Sequence, residues 1–129
     1  FLEMETEEYP RFQKLTKEKY LTNRDHKRNV EHWIEHLVHG AVDVAKIVLA
    51  SERQPIPETY KEIVEQLSRV APFDQGKVGE NLSPWVKLRN LIAHEYLESR
   101  WQQIADFLTQ TEPIWKKLIE QTKSFLQKS

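Results

Sequence analysis

The sequence contains no cysteine, which removes a disulfide framework, a thiolate metal site and a cysteine nucleophile at once. That absence suits a reducing compartment, and a cytoplasmic location is expected. Only three glycines occur, and long stretches carry no turn signal, which favours helices over a sheet-rich fold. No apolar run approaches the roughly 20 residues that a bilayer span needs, and no signal-peptide pattern opens the chain. Phe1 stands inside a helix-like pattern, so further residues are expected upstream. An excess of positive charge is missing too: 19 basic side chains face 20 acidic ones. Proteins that coat nucleic acid by bulk electrostatics are usually clearly basic, so any contact with a polyanion here has to come from a local cleft. There is also no glycine-rich phosphate loop, no paired-carboxylate motif and no defensible Ser-His-Asp order.

What remains is a chain of 129 residues, 39% apolar and 30% charged, the size and balance of one domain spanning residues 1–129 around one core. Residues 1–22 are highly charged, with scattered aromatics (Tyr9, Phe12, Tyr20) and an interrupting Pro10, and read as a helical arm bent at the proline. Thr22 and Asn23 are N-cap candidates for a long helix. Val30, Ile34, Leu37, Ala41, Val44 and Val48 recur by threes and fours, the seam of an amphipathic helix from about Asp25 to Ser51. Gln54-Pro55-Ile56-Pro57 ends it. Pro57 suits the first turn of the next helix, whose inner face is Tyr60, Ile63, Val64 and Leu67. After a loop over residues 71–76, a fourth helix carries Leu82, Trp85, Leu88, Leu91 and Ile92. Ser99 is a candidate cap for a fifth (Trp101, Ile104, Phe107, Leu108), and Thr111 with Pro113 starts or kinks a last one (Ile114, Leu118, Phe125). The expected fold is all-α, an up-and-down bundle of about five to six helices.

The segment Arg89-Asn90-Leu91-Ile92-Ala93-His94-Glu95-Tyr96 concentrates the chemistry. Arg89 is a permanent cation whose planar fork suits phosphate oxygens. His94 titrates near neutrality and can both take and give a proton. Together they suffice to cleave RNA without a metal or other cofactor: the imidazole deprotonates a ribose 2′-OH and the guanidinium stabilises the charged phosphoryl oxygens. Asn90, four residues before His94, can orient the imidazole. On a straight helix Arg89 and His94 diverge by roughly 140°. They can meet on one phosphate if the Arg side chain wraps round, if the helix distorts, or if a second copy supplies part of the site, as a two-fold dimer would. Tyr96 returns to within roughly 20° of the Arg89 direction.

Arg89-Asn90-x3-His94-x-Tyr96 resembles the Arg-x4-His-x-Tyr signature of HepT toxins, within the HEPN superfamily (higher eukaryotes and prokaryotes nucleotide-binding). The likeness extends over roughly residues 24 to 126. It includes a long helix like Arg28 to Leu49 with an acidic residue, Asp43, near its end, a Pro-x-Thr-Tyr-like start at Pro57-Glu58-Thr59-Tyr60, and Thr111-Glu112-Pro113. The resemblance implies a HEPN-type bundle and a metal-independent ribonuclease that forms a homodimer, with Arg89 and His94 catalytic and Asn90 and Asp43 supporting. It further implies a partner, a minimal nucleotidyltransferase antitoxin, that transfers AMP to the motif tyrosine, here Tyr96. A bulky anion beside Arg89 would compete with RNA phosphate for that cation. The alternative is a HEPN protein without nuclease activity that acts as the substrate-binding or regulatory partner of such a nucleotidyltransferase. RNA is the expected substrate, and neither DNA nor a membrane is an expected partner.

Elsewhere, Arg24, Lys27 and Arg28 are the best candidates for phosphate contacts. His32, His36, His39 and Asp43 share one stripe of the long helix. Histidines at i and i+4 can share a metal ion, but a solvated polar face is the preferred reading and no metal is expected; a third reading has the stripe line a dimer cleft and help hold RNA. Trp33, Trp85, Trp101 and Trp115 fall at or beside apolar helical positions, so core or interface packing is favoured over base stacking.

Overall fold

A computed structural model describes residues 2–88 and 97–127. The fold is an all-α helical bundle of the HEPN type, with no strand among the described residues. Its helices are α1 (Leu2–Thr6), α2 (Tyr9–Gln13), α3 (Lys17–Thr22), α4 (Arg24–Ser51), α5 (Tyr60–Leu67), α6 (Val78–Val86), α7 (Leu97–Gln110) and α8 (Glu112–Gln127).

The long helix α4 is the axis of the molecule. Asn23 caps it, its side-chain oxygen accepting from the Asp25 and His26 backbone amides, which satisfies donors that a helix start leaves without intrahelical partners. Val30, Ile34, Leu37, Ala41 and Val48 of the seam are buried and Val44 is half-buried. Trp33, Val38, Val42, Ala45 and Leu49 are buried as well, so the apolar surface of α4 is far wider than the seam. That width serves several partners at once: α4 touches α1, α3, α5 and α8.

Two helix starts differ from the sequence expectation and one agrees. The helix after the prolines begins at Tyr60, because Thr59 is its cap, accepting from the Glu62 amide, while Pro57 stays outside. Ser99 stands inside α7, which already runs from Leu97, and not before it. Thr111 with Pro113 does start the last helix, as expected: α8 begins at Glu112, and Pro113 sits in its first turn, where a residue needs no amide proton. Between α5 and α6 the backbones approach so closely that a Cβ on Gly79 would collide with the Val64 carbonyl oxygen. Glycine is required there by space, not by conformation.

The charged N-terminal residues are helical, as expected, and they pack onto the bundle. They fold into three short helices whose Tyr9, Phe12 and Tyr20 are buried in the common core. The Trp33 indole N–H donates to the Glu5 carbonyl at 2.8 Å, and Gln13 Nε2 donates to the Leu108 carbonyl at 3.0 Å. Thr111 Oγ1 lies 2.6 Å from the Phe107 carbonyl oxygen and 2.7 Å from the Tyr9 hydroxyl. Thr111 has one hydroxyl proton; given to the carbonyl, it leaves Tyr9 to donate into Thr111. Burial raises the Tyr9 pKa well above its ordinary value and keeps that donor protonated. All four tryptophans pack in or against the core, Trp33 and Trp115 within it and Trp85 and Trp101 at its edge. No helix among the described residues is long and apolar enough to cross a membrane.

Candidate functional site

Arg89, Asn90, His94 and Tyr96 lie outside the described residues, and the structure defines the two shores of the segment that carries them. On the upstream side, α6 ends at Val86 and Leu88 is buried. Trp85 meets Phe107 of α7 edge to face, with ring centroids 5.7 Å apart, so the end of α6 is wedged against the middle of α7. Val86 and Lys87 line a cavity of about 610 Å³ whose other wall is α5, with Tyr60, Lys61 and Glu65. Glu65 accepts from Ser83 at 2.9 Å, tying α5 to α6, and pairs within α5 with Lys61 at 3.8 Å.

Downstream, the chain re-enters at Leu97 and Arg100 stands in the first turn of α7. Its guanidinium donates to Glu31 of α4 at 3.3 Å, in a half-buried ion pair. Tyr20 of α3 completes this junction. Its ring stacks at a tilt on Trp101, centroids 5.4 Å apart, and its hydroxyl is shielded from solvent. Burial, reinforced by the negative charge of Glu31, pushes the Tyr20 phenol up to about 12. Burial also raises the Glu31 carboxyl, against the opposing pull of Arg100 and then of Lys27. The pair therefore holds α3, α4 and α7 together four residues beyond Tyr96. Sequence reasoning missed it. Glu31 and Arg100 are 69 residues apart, and no local spacing announces such a contact.

The candidate supporting residues occupy different ends of α4. Arg24 and Arg28 are exposed and Lys27 is half-buried, all near the Glu31–Arg100 junction in sequence. Asp43 is twelve residues beyond Glu31, about 18 Å along the helix axis. It lines a groove of about 540 Å³ between α1, α4 and α8, beside Ile47 and Lys123. His32 and His36 are exposed, with ring centroids 6.5 Å apart. His39 instead turns edge-on to Tyr60 at 6.2 Å, with its Nε2 shielded and unpartnered among the described residues. The stripe does not gather into a ligand set: no group of three or more His, Asp or Glu side chains among the described residues converges as a metal would require.

An all-helical bundle carrying an arginine, a histidine and a tyrosine in one late stretch has the organisation of a HEPN domain. The family model described as "Ribonuclease HepT-like" matches residues 2–122, and the chain belongs to this HepT-like ribonuclease family. The match takes in the N-terminal helices, which the sequence resemblance had left without a family counterpart. No curated protein and no solved structure matches the chain.

Proposed function

We propose that the chain is a metal-independent ribonuclease toxin, cleaving RNA through Arg89 and His94, and that it is paired with a minimal nucleotidyltransferase antitoxin. The observation that carries this reading is Arg89-Asn90-x3-His94-x-Tyr96 standing inside a chain that belongs to a ribonuclease family. His94 as general base removes the 2′-OH proton. The 2′ oxygen then bonds to the adjacent phosphorus, and the bond from phosphorus to the 5′ oxygen breaks. The departing 5′ oxygen takes a proton from solvent water, the proton on His94 returns to solvent, and the products are a 2′,3′-cyclic phosphate and a free 5′-OH. Arg89 neutralises charge on the non-bridging oxygens as the bond order changes. Asn90 orients the imidazole through a side-chain hydrogen bond.

Were Arg89 and His94 on one straight helix, their roughly 140° divergence would favour a site shared by two copies, each giving one of the two residues to a common cleft. AMP on Tyr96 then silences the site: the added phosphate pairs with Arg89, and the nucleoside occupies room meant for RNA. The test is expression with and without the partner. The chain alone is expected to slow growth, His94→Ala to relieve it, and co-expression with the nucleotidyltransferase to add one AMP to Tyr96 by intact mass. Full toxicity of His94→Ala would sink the assignment. Stable partner binding with no cleavage by the purified chain would favour the non-catalytic alternative.

A further inference from the structure

One surface groove concentrates positive charge in a molecule whose formal charge is only −1. At the junction of α2, α3 and α4 a hollow of about 150 Å³ is lined by Arg11, Lys14, Lys19, His26 and Asn29 over a floor of Phe12 and Leu15. Among the described residues no carboxylate lines it. Among the described residues Lys14 and Lys19 have no acidic partner, while Arg11 is held by Glu8 at 3.2 Å and rests on the Phe12 ring. Three basic residues from α2, the α2–α3 turn and α3 thus converge on the first turns of α4. The convergence is invisible in the sequence, where the same lysines alternate with acids.

The hollow does not end there. Arg11, Phe12 and Asn29 are shared with a second hollow of about 290 Å³ that continues along α4 to His32 and His36. From His26 to His36 the groove follows α4 for about 15 Å. Its character changes along the way. The first part offers cations, and the second offers two exposed imidazole rings and an amide, with Glu5 and Glu8 on the opposite wall. Glu8 is already paired with Arg11. Cations suit phosphates; imidazole faces and an amide suit unstacked bases. A uniformly basic patch would fit any polyanion, and an acidic protein would gain little from the histidine end.

The geometry points to this groove as a binding site for single-stranded RNA, Lys14, Lys19 and Arg11 holding phosphates and Asn29, His32 and His36 contacting bases. It rests on the reading of the chain as a ribonuclease and makes the groove the track by which substrate is held away from Arg89 and His94. Glu31, which joins α4 to α7 through Arg100, lies on the same stretch of α4, between Asn29 and His32.

The test is fluorescence anisotropy with a labelled single-stranded RNA of mixed sequence, using the full chain carrying His94→Ala so that the probe stays intact. Lys14→Glu/Lys19→Glu in that background is compared with Arg69→Glu/Lys117→Glu, an equal charge change at exposed residues off the groove. The groove pair should weaken binding at least about tenfold and make the salt slope shallower by about 1.4, two single-strand phosphate contacts. His32→Ala/His36→Ala should weaken binding without changing the slope, and the control pair should stay within about twofold. Far-ultraviolet circular dichroism confirms folding; if the charge-reversed pair is unfolded, Lys14→Gln/Lys19→Gln replaces it with the same expectation. Equal weakening by groove and control pairs, or no RNA binding at all, overturns the site. So does unchanged RNA affinity, including the case where the variant loses only a protein partner. Cleavage is assayed separately on the chain with His94 intact. Cleavage with no effect of the groove pair removes the groove alone; a groove effect without cleavage removes the ribonuclease reading alone.

Discussion

At the scale of single residues, the hydroxyl of Thr111 shows how the N-terminal helices are held. It joins the Tyr9 phenol to the Phe107 carbonyl inside the core, 102 residues apart in sequence for the side-chain pair. Thr111→Val leaves the phenol as a buried donor with no acceptor and should cost about 1–3 kcal/mol in urea unfolding. Adding Tyr9→Phe removes that stranded donor, so the double variant should be more stable than Thr111→Val alone. Gly79→Ala should cost about 1–3 kcal/mol or more by the same measurement, because the Val64 carbonyl is backbone and cannot step aside. The catalytic assignment is equally local but was readable only as letters. Arg89, His94 and Tyr96 declare themselves through their side-chain chemistry and offsets, whereas the Glu31–Arg100 pair is created by folding and has no sequence signal.

At the scale of elements, legibility follows helix length. The 28 residues of α4 repeat their apolar spacing often enough to expose the seam, and even the asparagine cap was identifiable. The five- and six-residue helices α1, α2 and α3 complete too few turns to show a period. Their buried aromatics therefore read as scattered on a charged arm. Helix starts depended on hydrogen-bond competition: Thr59 beat Pro57 because a side-chain acceptor fixes the first turn and a proline merely permits it. The junction of α3, α4 and α7 gives a pH prediction. The folded-state pKa of Glu31 is raised above its usual 4.5 by burial, so the folded protein holds that proton more tightly than the unfolded chain. The stability due to this group is full below the unfolded value and is lost as pH rises through the folded one. In urea unfolding across that range, Glu31→Gln should flatten this part of the pH dependence. An unchanged profile would remove Glu31 as its source.

For the whole molecule, a chain of nearly balanced charge gathers cations locally: with Arg11, Lys14 and Lys19 set aside, 16 basic side chains face 20 acidic ones, and it is this local gathering that the proposed RNA groove uses. Two copies are expected to share each active site, and complementation tests that sharing. Equal mixing of Arg89→Ala and His94→Ala chains, refolded together, should restore roughly a quarter of wild-type cleavage, since half the dimers are mixed and one of their two sites is intact. Sites built within one copy would give no restoration. The central claim is tested most directly by incubating the purified chain with single-stranded RNA in excess EDTA and analysing the ends of the products by mass spectrometry. The account predicts cleavage with 2′,3′-cyclic phosphate or its hydrolysis product, reduced about 10²- to 10⁴-fold by His94→Ala and about 10²- to 10³-fold by Arg89→Ala. Cleavage that requires added metal, or that survives both substitutions undiminished, would contradict it.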